Sequence, residues 1–139
     1  MPITLMETNK DFSGQKFPKQ ERLTSKKTIE ELFSKGSSVF VYPFRLIYLP
    51  KPPGIFVHQT YPQILFSVSK KYFKKAVDRN LIKRRMREAY RLNKSELLQM
   101  IAAKQLPASI AFIYVAKEKI DFAVLQKKLI TAWQRLANN

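Results

Sequence analysis

The sequence predicts an α+β fold with the order α-β-β-β-α-β-α and a mixed sheet. Three observations carry this. Three stretches place apolar residues at helical spacing, and the runs between them are β-branched and aromatic. A long basic helical stretch also separates the third strand from the fourth.

The elements follow in order. Residues 1–16 are polar and without period, and are expected to form a flexible N-terminal tail before a single domain over 17–139. Phe17 to Leu23 reads as extended. Ser25 is the expected N-cap of a short helix in which Ile29, Leu32 and Phe33 recur at i, i+3, i+4. Gly36 suits its C′ position. Ser37 to Leu49 is strand-like, and Pro43 marks an edge, a bulge or a break between two short strands. Read as one strand, it puts Phe40, Tyr42, Phe44, Leu46 and Tyr48 on one face and Val41, Arg45 and Ile47 on the other. Pro50 to Gln63, with four prolines and Gly54, reads as loop. Ile64 to Ser69 is a strand. A helix runs from about Ala76–Asp78 to about Ala103 and is stopped by Leu106-Pro107. Ser109 to Val115 is a buried-type strand. Asp121 caps a last helix whose apolar stripe includes Leu125, Leu129, Trp133 and Leu136.

Composition bounds the function. The 139 residues carry 26 Lys plus Arg against 10 Asp plus Glu, a net charge of +16, which points to a polyanionic partner. With 45% hydrophobic residues this is not a disordered basic tail. There is no cysteine, which excludes a disulfide framework, a Cys-based zinc site and a thiol nucleophile. No apolar run has the length of a membrane span, and the N-terminus lacks the pattern of a signal peptide. A soluble, cytoplasmic protein is expected, with no membrane partner.

The charge is concentrated. Residues 70–91 hold ten basic side chains against Asp78 and Glu88, a net of +8 and half the charge of the chain. On a helix Arg79, Lys83 and Arg87 stack at i, i+4, i+8, with Asn80, Arg84 and Arg91 beside them. Ile82, Met86, Ala89 and Tyr90 form the adjoining apolar stripe that docks the helix. Solvated helix faces usually mix signs, whereas this one does not. Like charges so placed repel until a polyanion neutralises them, and the arginine fork suits phosphate. Lys70 and Lys71 extend the block at its N-terminal side. Helix-turn-helix and zinc-finger patterns are absent, and charge alone does not decide between RNA and DNA.

The stretch SVSKKYFKKAVDRNLIKRRMREAYR at 67–91 resembles the signature of the bacterial ribonuclease P protein component, SVSKKxxxAVxRNRIKRxxRE. FPKQERLTSKKTIEELFSKG, YPFRLIYL, SIAFIYVAKE and the final amphipathic stretch are similar to that family in order, over about residues 17–137. The resemblance implies a two-layer α-β-β-β-α-β-α sandwich of the ribosomal protein S5 domain 2-like class, with a left-handed crossover around the basic helix. It implies the protein subunit of a ribonucleoprotein endonuclease that removes the 5′ leader of precursor tRNA. The partners implied are the catalytic RNA and the precursor tRNA, and not DNA. The catalyst is then the RNA with Mg²⁺, and the protein itself holds no tightly bound cofactor.

By the same resemblance Arg79, Asn80, Lys83, Arg84 and Arg87 face the catalytic RNA, joined here by Lys70, Lys71 and Arg91. Leu81 departs from the family's arginine, and Arg85 stands where an apolar residue is common. The family's leader cleft, between the first helix and the sheet, maps onto Ile29, Phe33, Phe44, Arg45 and Ile47. Phe33 and Phe44 also sit at core-compatible positions. Ile29 and Ile47 cannot stack as a ring would, so leader contact rests more on Phe33 and Arg45.

No carboxylates pair as a two-metal nuclease requires. Glu30 and Glu31 diverge on a helix, Glu118 and Asp121 flank a helix start, and His58 is the single histidine. No catalytic residue and no metal ligand are expected in the protein. The alternative is a ribosomal or ribosome-assembly RNA-binding protein without a nuclease role.

Overall fold

The computed structural model describes residues 17–49, 62–102 and 109–138. The expected tail, most of the Pro-rich loop with His58, and the Leu106-Pro107 helix stop lie outside the described residues. A 3₁₀ turn at Lys19–Glu21 is followed by helix α1 (Lys26–Lys35), strands β1 (Ser37–Val41), β2 (Phe44–Leu49) and β3 (Gln63–Val68), helix α2 (Ala76–Ala102), strand β4 (Ser109–Tyr114) and helix α3 (Phe122–Ala137). The strands lie in the order β1-β2-β4-β3. The pairs β1·β2 and β2·β4 are antiparallel and β3·β4 is parallel, so α2 is the crossover between parallel neighbours. This is the α+β order and mixed sheet that the sequence predicts.

The sheet has two apolar faces. On one, Phe44, Leu46, Ile64, Phe66, Ile110, Phe112 and Tyr114 pack with Ile82, Met86 and Tyr90 of α2 and with Leu129 and Trp133 of α3. Trp133 is fully buried. Its ring stacks on Phe112 at 5.9 Å, and its Nε1 donates to the Leu97 carbonyl at 2.6 Å. On the other face Ile47 and Ala111 pack with Leu23 and Leu32, with Ile29 partly buried beside them. Thus α1 covers a small second core while α2 and α3 cover the large one.

Local chemistry explains the boundaries. The Ser25 side chain accepts from the Thr28 amide at 3.3 Å, as an N-cap does. Asp121 occupies the N-cap position of α3, where its side chain makes no capping bond and its carbonyl accepts from Leu125. The segment from Phe17 is extended only in part. The 3₁₀ turn interrupts it before Arg22 bridges Ile64 of β3. Gly36 differs from expectation in its reason. Its φ of −72° is not left-handed, so conformational freedom is not what the position requires. A Cβ there would lie 2.4 Å from the Leu32 carbonyl oxygen and 2.6 Å from Ile47 Cγ2. The glycine lets α1 turn directly onto the sheet. Gly36→Ala is expected to destabilise the fold by about 1–3 kcal/mol, because a backbone carbonyl cannot step aside. A lowered urea midpoint with unchanged slope is the readout.

Candidate nucleic-acid interface

Helix α2 is positioned by its apolar stripe, as the spacing predicts. Ile82, Met86, Ala89 and Tyr90 are each within 1% of full burial. Its N-terminal end is fixed by side chains. Arg79 Nη1 donates to the carbonyls of Phe73 and Lys74, both at 2.8 Å, and so holds the preceding turn against the helix. Asp78 pairs with Lys119 at 2.7 Å, and that hydrogen bond holds its carboxyl below the usual range. Arg85 Nη1 donates to the Ile120 carbonyl at 3.1 Å. This unusual arginine therefore joins α2 to the loop before α3.

The basic face resolves into a crest and a margin. Asn80, Arg84 and Arg87 are exposed, whereas Arg79, Lys83 and Arg91 are half-buried. At the ~100° per residue of a helix, Asn80, Arg84, Arg87 and Arg91 fall within one narrow arc opposite the core. Arg79 and Lys83 lie toward its edge, nearer the buried stripe. The two acids of the block are already engaged, Glu88 by Arg91 and Asp78 by Lys119. Lys70 and Lys71 are exposed on the turn between β3 and α2. The side chains of Lys71 and Lys117 both lie over Tyr72, with Nζ at 5.5 and 5.8 Å from the ring centroid. Folding thus brings Lys117, from the loop after β4, to the same patch.

The five residues assigned to a cleft do not all meet. Arg45 is exposed and lies on the α1 face of the sheet, in the same strand parity as Ile47. Phe33 is 49% exposed on α1 and Ile29 is partly buried under it. Ile47 is 5% exposed and is held in the second core. Phe44 is a correction. It is fully buried on the opposite face, edge-on to Phe112 and Tyr114, and cannot line a cleft beneath α1. Alternation along β2 alone sets Phe44 on the face opposite Arg45 and Ile47, and the turn at Tyr42-Pro43 then resets the parity of β1. Val41 pairs directly with Phe44, so the odd positions of β1 share a face with the even positions of β2. The same step moves Phe40 to the Arg45 face, where the two are cross-strand partners and Phe40 is 57% exposed. Sequence reasoning missed Phe40 by reading one continuous strand. Pro43, taken as a hairpin signal, would have found it.

Among the described residues no group of three or more His, Cys, Asp or Glu side chains is placed to hold a metal ion. No described helix is long and apolar enough to cross a membrane.

The family model for ribonuclease P matches residues 17–137. The chain is 39% identical over 121 residues to the ribonuclease P protein component of Porphyromonas gingivalis, covering 87% of this chain and 86% of that one. It belongs to the ribonuclease P protein family. The corresponding protein of Petrotoga mobilis is 30% identical over 132 residues, 90% of this chain and 98% of that one. Among solved structures, the ribonuclease P protein from Thermotoga maritima superposes with a TM-score of 0.64 at 26% identity, over 83% of this chain and 96% of that one. The Staphylococcus aureus protein gives 0.64 at 24% identity, over 84% and 94%, and so shares the fold. As a ribonuclease P protein, the chain is the protein component of an endoribonuclease that acts in tRNA 5′ maturation.

Proposed function

We propose that α2 binds the catalytic RNA of ribonuclease P and that the open face beside α1 receives the 5′ leader of precursor tRNA. The observation that carries the first part is the crest Asn80-Arg84-Arg87-Arg91, a single-sign stripe beside which Asp78 and Glu88 are already paired. Arg84 and Arg87 can each neutralise a phosphate and release counterions, while Arg91 is paired with Glu88. Lys70, Lys71, Arg79 and Lys83 extend the same potential at the helix start and margin. Arg79 keeps one amino group on the turn.

The second part rests on Phe33, Phe40 and Arg45, two exposed rings and an exposed guanidinium on the α1 side. Aromatic surface beside positive charge suits unpaired nucleotides, with stacking contributing about 1–3 kcal/mol per base. Ile29 and Ile47 support this surface from below. The protein supplies position and charge, while the RNA, with Mg²⁺, carries the bond cleavage in the cytoplasm.

The deciding experiment is 5′-leader removal from a precursor tRNA at low Mg²⁺, using a bacterial ribonuclease P RNA with and without the protein, and the protein alone. Cleavage by the pair, slow cleavage by the RNA and none by the protein is the expected result. Absence of stimulation overturns the proposal. Within the same assay Phe33→Ala and Arg45→Ala are expected to weaken a long-leader substrate several-fold more than one with a single-nucleotide leader. Equal effects on both substrates would remove the leader from this face.

A further inference from the structure

Beside the crest, α2 and the start of α3 form an open pocket of about 150 Å³ lined by Arg84, Arg85, Glu88 and Phe122. A volume of this size holds one six-membered ring. Its walls are set before any ligand arrives. Arg85 is tied to the Ile120 carbonyl, Glu88 is held by Arg91, and Phe122 is half-buried as the first residue of α3. Arg84, by contrast, is exposed and belongs to both the crest and the cavity rim.

We propose that this cavity receives a single unstacked nucleobase of the RNA that lies along the crest, a base carrying an exocyclic amino group. The inference rests on the crest being an RNA-binding face. Arg84 and Arg85 would attract a phosphate, but the Glu88 carboxylate and the phenyl ring beside them offer it no donor. A base meets an aromatic wall for its ring and a carboxylate for its amino group. A carboxylate engaged by one arginine keeps further lone pairs, and an amino group is their natural donor. Sequence-selective RNA recognition takes this form, with an unstacked base held by an aromatic ring or a guanidinium plane and read along its edge. Arg84 at the rim is placed for the phosphate that flanks the inserted base.

The test uses the full-length protein and a bacterial ribonuclease P RNA, with Kd measured across a salt series for Phe122→Leu, Glu88→Ala and Arg87→Ala. Phe122→Leu keeps apolar volume and is expected to raise Kd about tenfold with the salt slope unchanged, because stacking neutralises no phosphate. Glu88→Ala adds a unit of positive charge, which would tighten a purely electrostatic contact. Here it is expected to raise Kd several-fold. Arg87→Ala is expected to raise Kd and flatten the slope. If Phe122→Leu and Glu88→Ala bind as tightly as the unaltered protein while Arg87→Ala is impaired, the base pocket is wrong and the crest stands. If Arg87→Ala is also without effect, the crest reading itself fails. A benzophenone amino acid at position 122 gives a readout independent of these variants. Cross-links concentrated at one nucleotide support the pocket, and diffuse or absent cross-links overturn it.

Discussion

Arg84→Ala combined with Arg87→Ala is expected to weaken binding of the catalytic RNA about a hundredfold at moderate salt. Hydrogen bonds to charged groups contribute about 1.5–3 kcal/mol each, so two of them are enough for that loss. The slope of log K against log salt should fall by about 1.5 units, since each neutralised phosphate adds about 0.7–0.9. Both side chains are exposed on the crest, so folding stability should change by no more than about 0.5 kcal/mol. A salt titration beside a thermal melt separates the two effects. An unchanged slope in a folded variant would mean that the crest does not meet phosphate. Arg79→Ala should behave differently, because its guanidinium also binds the Phe73 and Lys74 carbonyls. It should lower stability as well as affinity.

Lys94→Met is expected to destabilise the fold by about 3–5 kcal/mol, a large part of the 5–15 kcal/mol that holds a domain of this size. Lys94 and Glu21 form an ion pair at 2.6 Å, with their side chains only 4% and 6% exposed. Removing the ammonium leaves a buried carboxylate without its main counter-charge. Replacing both partners, Glu21→Leu with Lys94→Met, should recover most of the loss, because the buried charges then disappear together. Urea unfolding of the two single variants and the double variant closes the cycle. The pair matters structurally because it fastens the 3₁₀ turn to α2. On either side of that turn Phe17 inserts against Phe66 and Tyr90, and Leu23 enters the second core.

Much of this was legible in the sequence. The start of α2 falls within a residue or two of expectation because its apolar stripe and basic face agree. The Ser25 cap and the buried Trp133 follow from simple spacing and size. Three features were hidden for distinct physical reasons. Phe40 leaves the Phe44 face because a two-residue turn resets strand parity, and parity along a chain is invisible when the turn is taken for a kink. The division of basic residues into crest and margin depends on which helix flank the sheet covers, and periodicity does not fix that within one residue. The Glu21–Lys94 pair joins positions 73 apart, and nothing local marks either residue as buried. The joining of Arg85 to the loop before α3 is of the same long-range kind.

The strand order β1-β2-β4-β3 sets a timetable for a chain made from its N-terminus. Among the described strands, β4 lies between the β1-β2 hairpin and β3, and it comes last in the sequence. Until residue 114 is available, β2 and β3 each present an open edge, and the large core lacks Ile110 and Phe112. The helix α2 must be complete before that closure, so its strip of like charge exists early, on a chain not yet compact. Folding of this kind is slow in its late step and exposes sticky edges while it waits. Mutual repulsion among nascent chains carrying that positive strip is a built-in safeguard during the interval. The charge that suits the finished protein to RNA also keeps its unfinished copies apart.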